Sequence, residues 1–214
     1  MRGKFITLEG GEGAGKTTQI KLLGEYLTQK GIETVLTKEP GGTPIGQELR
    51  SILCTGDKDK IDAVAEALLY YADRRIHVCQ KILPALNRGA WVISDRFADS
   101  TMAYQCYGYK DRISKDTLNE LYKITVGDLK PDLTIILDID PKIGLARSLE
   151  RNASSQIQET RHEGRALEFH QNLRNGFLEI SKTDSRYAVI DANCPVEELH
   201  KKIVRLIESR ISDA

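Results

Sequence analysis

Hydrophobic and polar positions along the chain fall into two kinds of segment. Short, nearly continuous apolar runs rich in β-branched residues occur at Lys4–Glu9 (KFITLE), Glu33–Thr37 (ETVLT), Ala90–Ser94 (AWVIS), Leu133–Asp138 (LTIILD) and Tyr187–Asp191 (YAVID). Such runs suit strands covered on both faces of a parallel sheet. The longer segments between them carry apolar residues at helical spacing. Thr17–Gln29 places Ile20, Leu22, Leu23, Tyr26 and Leu27 this way and ends before Gly31, a C-cap candidate. Ile61–Asn87 repeats the pattern through Val64, Leu68, Leu69, Ile76, Leu83 and Leu86, and Pro84 predicts a kink or an early end. Pro195 opens a last amphipathic helix through Val196, Leu199, Ile203 and Leu206 to Ile207. The alternation predicts an α/β fold, with a parallel sheet of about five strands flanked by helices and right-handed crossovers. Ligands are expected beyond the C-terminal ends of the strands. The polar stretch Asn152–Arg161 lacks periodicity and reads as a mobile loop.

Composition narrows the function classes. A length of 214 residues favours one domain, 1–214. Lys plus Arg and Asp plus Glu are both 31, and a balanced charge argues against a nucleic-acid backbone as partner. No run approaches the roughly 18 apolar residues of a membrane helix. The start, Met1–Gly11, lacks the long apolar stretch of a secretory signal. Cys54, Cys79, Cys106 and Cys194 stand at irregular spacing without a CxxC pair, as expected for reduced thiols in the cytoplasm.

One motif carries the chemistry. Gly10-Gly11-Glu12-Gly13-Ala14-Gly15-Lys16-Thr17 matches GxxxxGK[ST] between an expected strand and an expected helix, the context a phosphate-binding loop requires. Glycines allow the tight turn whose N–H groups face phosphate oxygens, and the helix N-terminus adds positive potential. Lys16 is expected to reach the β- and γ-phosphates of a nucleoside triphosphate and Thr17 to offer its hydroxyl to Mg2+. The chain contains neither a DxxG nor an NKxD segment, against a GTPase switch. Gly11 stands where partition-type ATPases carry an extra lysine, so a small-molecule kinase is favoured. Asp95 and Arg96 follow a strand, where a carboxylate can organise Mg2+ and an arginine can fork onto a second phosphate. Glu9 ends the first strand and is a third candidate for the metal.

The segments GEGAGKTT (Gly11–Thr18), EPGGT (Glu39–Thr43), ADRR with a following His (Ala72–His77), DRF (Asp95–Phe97), STMAYQ (Ser100–Gln105) and PDLTIILD (Pro131–Asp138) resemble thymidylate kinases in order and spacing. The likeness spans nearly the whole chain. It implies a P-loop kinase that transfers the γ-phosphoryl of ATP to dTMP, giving dTDP and ADP for dTTP biosynthesis. It further implies Mg2+, a homodimer and a lid around residues 151–163. The acceptor phosphate is already ionised at neutral pH, so positioning and charge neutralisation suffice without a general base. By resemblance, the loop Gly10–Thr18 binds ATP, Glu39 and Pro40 belong to the acceptor site, and Arg50 and Arg96 hold the monophosphate. Arg74, Ser100 and Gln105 contact thymine, and Tyr70 stacks on it. Tyr104 crowds the 2′ position of the sugar, and Glu12 reaches the 3′-hydroxyl. Tyr70 and Tyr104 also fit plain core packing. The loop carries Glu12-Gly13-Ala14 and no arginine, so the chain resembles the lid-arginine bacterial type, with Arg151 and Arg161 as catalytic candidates and Arg165 nearby. Lys38 and Phe97 depart from the family, which carries arginine before EPGGT and tyrosine or histidine after the Asp-Arg pair. Another nucleotide or nucleoside kinase, or an ATP-dependent switch acting through a protein partner, shares the phosphate loop.

Overall fold

A computed structural model describes residues 2–57, 59–110, 112–153 and 165–211, with only the backbone of 151–153. Five strands form one parallel sheet: β1 (Phe5–Glu9), β2 (Thr34–Lys38), β3 (Trp91–Asp95), β4 (Leu133–Asp138) and β5 (Tyr187–Asp191), in the spatial order β2-β3-β1-β4-β5. All five lie where the apolar runs predict them, the first three shifted by one residue at one or both ends. The order reverses beside β1, so the loop after β1 opens at the topological switch point.

Parity along each strand decides what each face meets. Ile6 and Leu8 of β1, with Trp91, Ile93, Leu133, Ile135 and Leu137, point to helices α1 (Lys16–Gln29) and α9 (Val196–Ile211). Phe5 and Val92 point the other way, to Val78, Ile82, Leu86 and Phe97. On that second face Ile136 packs with Phe169, Leu173 and Phe177 of α8 (Leu167–Ile180). α1 ends in a Schellman motif. Gly31 has φ 77°, its N–H donates to the Thr28 carbonyl at 2.9 Å, and the Ile32 N–H donates to the Leu27 carbonyl at 3.0 Å.

The long helical pattern at 61–87 divides into three. α3 (Ala63–His77) runs into a π-helical turn (Val78–Ile82), and α4 (Leu83–Asn87) completes it. Pro84 has no N–H and its ring crowds the preceding turn, so the ladder is widened upstream of the proline. A second π-helical segment, Met102–Gly108, extends α5 (Ala98–Thr101). Sequence periodicity gives no clear sign of α2 (Pro44–Cys54) or α6 (Lys115–Thr125). Each has an N-cap that could have marked it: Thr43 accepts from the Gly46 N–H at 3.1 Å, and Ser114 from the Thr117 N–H at 3.1 Å. α7 (Pro141–Ala153) follows β4.

Candidate active site

The loop at residues 10–15 departs from β1 through glycines that a side chain would disturb. Gly10, Gly13 and Gly15 have φ of 135°, 67° and 92°. A Cβ on Gly13 would sit 1.9 Å from the Gly144 carbonyl oxygen, so α7 presses against the loop. Gly15 begins α1 without a side-chain cap, and the first helical turn is left for an anion to cap. Lys16 donates from Nζ to the carbonyls of Gly10 at 3.0 Å and Gly11 at 2.8 Å. Burial, and then the nearby Arg96 charge, lower the Lys16 pKa to about 8. A phosphate laid against it would offset both causes.

Thr17 donates its hydroxyl proton to Asp95 Oδ2 at 2.7 Å, so two candidate metal ligands from separate elements meet. Hard oxygen donors of this kind fit Mg2+, which needs only one or two protein ligands beside phosphates and water. Glu9 does not join them. It shares the β1 face of Phe5 and Thr7, whereas Asp95 shares the α1-facing side of Trp91 and Ile93. Both Glu9 oxygens are taken up on the far face. Oε1 accepts from the Phe97 N–H at 2.8 Å and Oε2 from the Ser100 hydroxyl at 2.5 Å. Burial, and then the charge of Asp99, push Glu9 up to about 8. Glu9 thus stands apart from Thr17 and Asp95 and braces the segment carrying Ser100.

Arg96 ties the phosphate loop to that segment. Its backbone has φ 70°, a costly conformation for a side-chain-bearing residue. The Arg96 N–H bond to the Leu8 carbonyl at 3.0 Å and the Ser94 hydroxyl bond to the Arg96 carbonyl at 2.7 Å hold it. Nη1 donates to the Gly10 carbonyl and the Ser100 hydroxyl, both at 3.0 Å. Nη2 donates to Glu12 Oε1 at 2.9 Å and to the Tyr104 hydroxyl at 3.0 Å. Tyr104 in turn donates to Glu12 Oε1 at 2.5 Å. Burial opposes the Arg96 charge, but Tyr104 and the Glu12 carboxylate raise its pKa above the ordinary value. The Tyr104 ring is buried among apolar neighbours, while its hydroxyl meets Arg96 and Glu12.

A second cluster lies behind the Glu39–Thr43 turn. Arg74, 1% exposed, donates from Nε to Glu39 Oε2 at 2.8 Å and from Nη2 to the Thr101 hydroxyl at 2.9 Å and the Phe97 carbonyl at 3.1 Å. Its guanidinium lies over the rings of Tyr71 and Phe97, 4.7 and 5.2 Å from their centroids. The departure at Phe97 thus has a packing reason: the ring is fully buried, edge-on to Phe5 at 5.0 Å. Glu39 Oε1 pairs with His77 Nδ1 at 2.8 Å, and His77 Nε2 shares a hydrogen with Thr37 at 2.7 Å. Glu39 therefore holds Arg74 and His77. Arg50 donates to the Pro40 carbonyl at 2.8 Å. Tyr70 is half-buried, whereas Tyr71 is the core ring and donates to the Leu118 carbonyl at 2.9 Å. Among the described residues, Arg74 Nη1 and both amide atoms of Gln105 are buried without a hydrogen-bond partner. Buried polar atoms left open in this way suit a polar ligand edge. Lys38 is exposed at the end of β2.

Asp73, buried in the same cluster, accepts from the Gly41 N–H at 3.2 Å. Burial, and then Glu39, raise its pKa to about 6. The unfolded chain ionises Asp73 from the ordinary value of 3.8, while the native state keeps the proton until about 6. Stability from this group is therefore lost as pH rises between those values and stays lost above them. Asp73→Asn retains an acceptor for Gly41 and should stabilise the fold by about 2 kcal/mol at pH 8 and by almost nothing at pH 4. Urea unfolding at both pH values checks it, and an equal effect at both would remove the ionisation as the cause.

Of the expected arginines, Arg151 lies in the last turn of α7 with its side chain outside the described residues, and Arg161 lies outside them altogether. Arg165 pairs with Asp59 at 3.0 Å. Asp99, absent from the sequence reading, accepts from both Nη atoms of Arg186 at 3.2 Å and from the Tyr187 hydroxyl at 2.7 Å. This network anchors α5 beside Ser100. Its members lie 87 and 88 residues apart, and no local pattern signals them.

A family model described as thymidylate kinase matches residues 8–203. The chain is 46% identical over 211 residues to the "Thymidylate kinase" of Magnetococcus marinus (strain ATCC BAA-1437 / JCM 17883 / MC-1), covering 98% of each chain. It is 44% identical over 214 residues to that of Bradyrhizobium sp. (strain ORS 278), covering all of this chain and 93% of the relative. It is also 44% identical over 208 residues to that of Carboxydothermus hydrogenoformans (strain ATCC BAA-161 / DSM 6008 / Z-2901), covering 97% of this chain and 98% of the relative.

Proposed function

The chain belongs to the thymidylate kinase family, and we propose that it transfers the γ-phosphoryl group of ATP to the 5′-phosphate of dTMP, with the following division of labour among its residues. Gly10–Thr18 cradles the ATP phosphates and Lys16 neutralises the β- and γ-oxygens. Thr17 and Asp95 hold Mg2+, which when bound supplies charge neutralisation between the two phosphate chains. Arg96, with Arg50, receives the acceptor phosphate. Arg74, Ser100 and Gln105 read polar edges of thymine, with Tyr70 against its face. Tyr104 and Glu12 flank the sugar. Arg151 and Arg161 are proposed as transition-state cations on the family resemblance.

The observation that supports this assignment best is the position of Arg96. One guanidinium bonds the phosphate-loop carbonyl of Gly10, the Glu12 carboxylate, and the Ser100 and Tyr104 hydroxyls. Donor and acceptor sides therefore share one cation, as a reaction between two polyanions demands. A coupled ATP assay across dTMP, thymidine, dUMP and other monophosphates tests the reading. ADP release that depends on dTMP is expected, and equal release with and without it would point instead to a slow ATP-driven switch.

Tyr104→Ala is expected to narrow the preference for dTMP over its ribose counterpart by about tenfold, the scale on which one excluded group is discriminated. Unchanged discrimination would assign the ring to packing alone. We propose a homodimer through the face where α2 packs on α3. Ile45 and Ile52 of α2 and Val64 and Leu68 of α3 are 53%, 47%, 57% and 51% exposed, the two helices pack together, and exposed apolar side chains of this kind support an association surface. Sedimentation of Leu68→Glu at micromolar concentration is expected to show monomers where the parent chain shows dimers. We place the enzyme in the cytoplasm, consistent with four cysteines that form no disulfide. Among the described residues no helix is long and apolar enough to cross a membrane.

A further inference from the structure

The segment after the proposed lid lies directly against the segment that carries the acceptor-side residues. α8 rests on the π-helical turn Met102–Gly108, and two glycines permit the approach. A Cβ on Gly108 would lie 2.7 Å from Cε2 of Phe169, and one on Gly176 would lie 2.6 Å from Cβ of Tyr107. A two-pronged ion pair fixes α8 to the end of β4: Arg174 Nε and Nη2 donate to the two oxygens of Asp138 at 2.7 and 2.8 Å. Within this frame the buried Phe169 ring meets Tyr104 edge-on, with centroids 5.9 Å apart and planes at 66°. Phe169 also tilts against Tyr109 at 4.9 Å. The Arg96 guanidinium lies 5.1 Å from the Tyr104 centroid.

We propose that Phe169 is a positioning residue for the acceptor sugar: by fixing the plane of the Tyr104 ring it sets the preference for deoxyribose over ribose. The inference rests on the reading of Tyr104 as the sugar-side ring. The Tyr104 hydroxyl donates to Glu12 and accepts from Arg96, which holds the tip of that side chain, and the Phe169 edge contact bears on the tilt of its ring about the long axis. Rejection of a single oxygen atom depends on placement to a fraction of an ångström.

The test compares the ratio of kcat/KM for dTMP to kcat/KM for its ribose counterpart across variants of the full chain. Phe169→Leu is expected to lower the ratio about fivefold while leaving the KM for ATP unchanged, a size set by the usual worth of one aromatic edge contact. Phe177→Leu, a comparable truncation of another buried ring on the same helix, should keep the ratio within about twofold. In a Tyr104→Ala background Phe169→Leu should have no further effect on the ratio, because residues acting through one another are not additive. If Phe169→Leu does not fold, Phe169→Met removes the ring at similar volume. A ratio that Tyr104→Ala narrows but Phe169→Leu or Phe169→Met leaves intact overturns the positioning role alone. An equal fall in Phe177→Leu overturns it too, since loosened packing would then be the cause. A ratio unmoved by Tyr104→Ala removes the sugar-side reading, and the positioning role with it.

Discussion

Arg96→Ala should lower kcat by about 10²- to 10³-fold, the loss typical of removing one preorganised donor from a site of developing charge. Affinity for ATP should stay within about threefold, because Lys16 still bonds the Gly10 carbonyl and the loop N–H groups remain to receive phosphate. Two consequences of the geometry set the size. Removing the guanidinium deletes the donors to Gly10, Ser100, Glu12 and Tyr104 at once. It also removes the positive charge 2.9 Å from the Glu12 carboxylate, which lies next to two incoming polyanions. Arg96→Lys keeps a charge but loses the fork, so it should recover only part of the rate. Steady-state kinetics in both substrates, with ATP affinity measured by calorimetry, separates the terms. A variant that turns over at the parent rate would exclude Arg96 from the site. A loss of ATP affinity as large as the loss of kcat would mean that the arginine shapes the phosphate loop and does not serve the reaction.

Glu39→Ala should be the most destabilising single change in the acceptor cluster, at about 3 to 5 kcal/mol. The pair Arg74–Glu39 is almost fully buried, with side-chain exposures of 1% and 2%. A buried cation that loses its partner keeps its desolvation cost and forfeits its attraction. His77, fully buried, loses its carboxylate partner in the same step and keeps its bond to Thr37. For a chain of this size the change corresponds to a fall in melting temperature of about 6 to 20 °C. Glu39→Gln keeps an acceptor for one neighbour and should lose roughly half as much. Thermal and urea unfolding provide the measurement. A loss below about 1 kcal/mol for Glu39→Ala would show that Arg74 relaxes to another partner or to water. Because Glu39 also aims Arg74, the surviving Glu39→Gln protein should show a raised KM for dTMP with little change in KM for ATP.

How much of the site could be read in advance varies with how local its causes are. The phosphate loop was legible because glycine, lysine and threonine at fixed spacing between a strand and a helix leave few alternatives. The Thr17–Asp95 contact followed from both residues standing at the same sheet edge. The separation of Glu9 from Thr17 has a cause visible in the sequence: Phe5, Thr7 and Glu9 alternate onto one face, and counting by twos puts Glu9 away from Thr17. The π-helical turn at Val78–Ile82 was half legible. Pro84 announced a disturbance, but whether the helix would break, bend or widen depended on its packing against β3 and its neighbours.

Taken alone, the sequence determined the strands, the helices with strong periodicity, the parallel α/β layout and the phosphate loop, because each rests on interactions within a few residues or on a repeating pattern of burial. Tertiary structure alone decided which charges meet. Glu39 with Arg74 and His77, Asp99 with Arg186 and Tyr187, and Phe169 with Tyr104 come from separate elements brought together by the sheet order. Such pairings hold no periodic signature. They form only where burial raises the cost of an unpaired polar or charged group and the fold supplies a partner within reach.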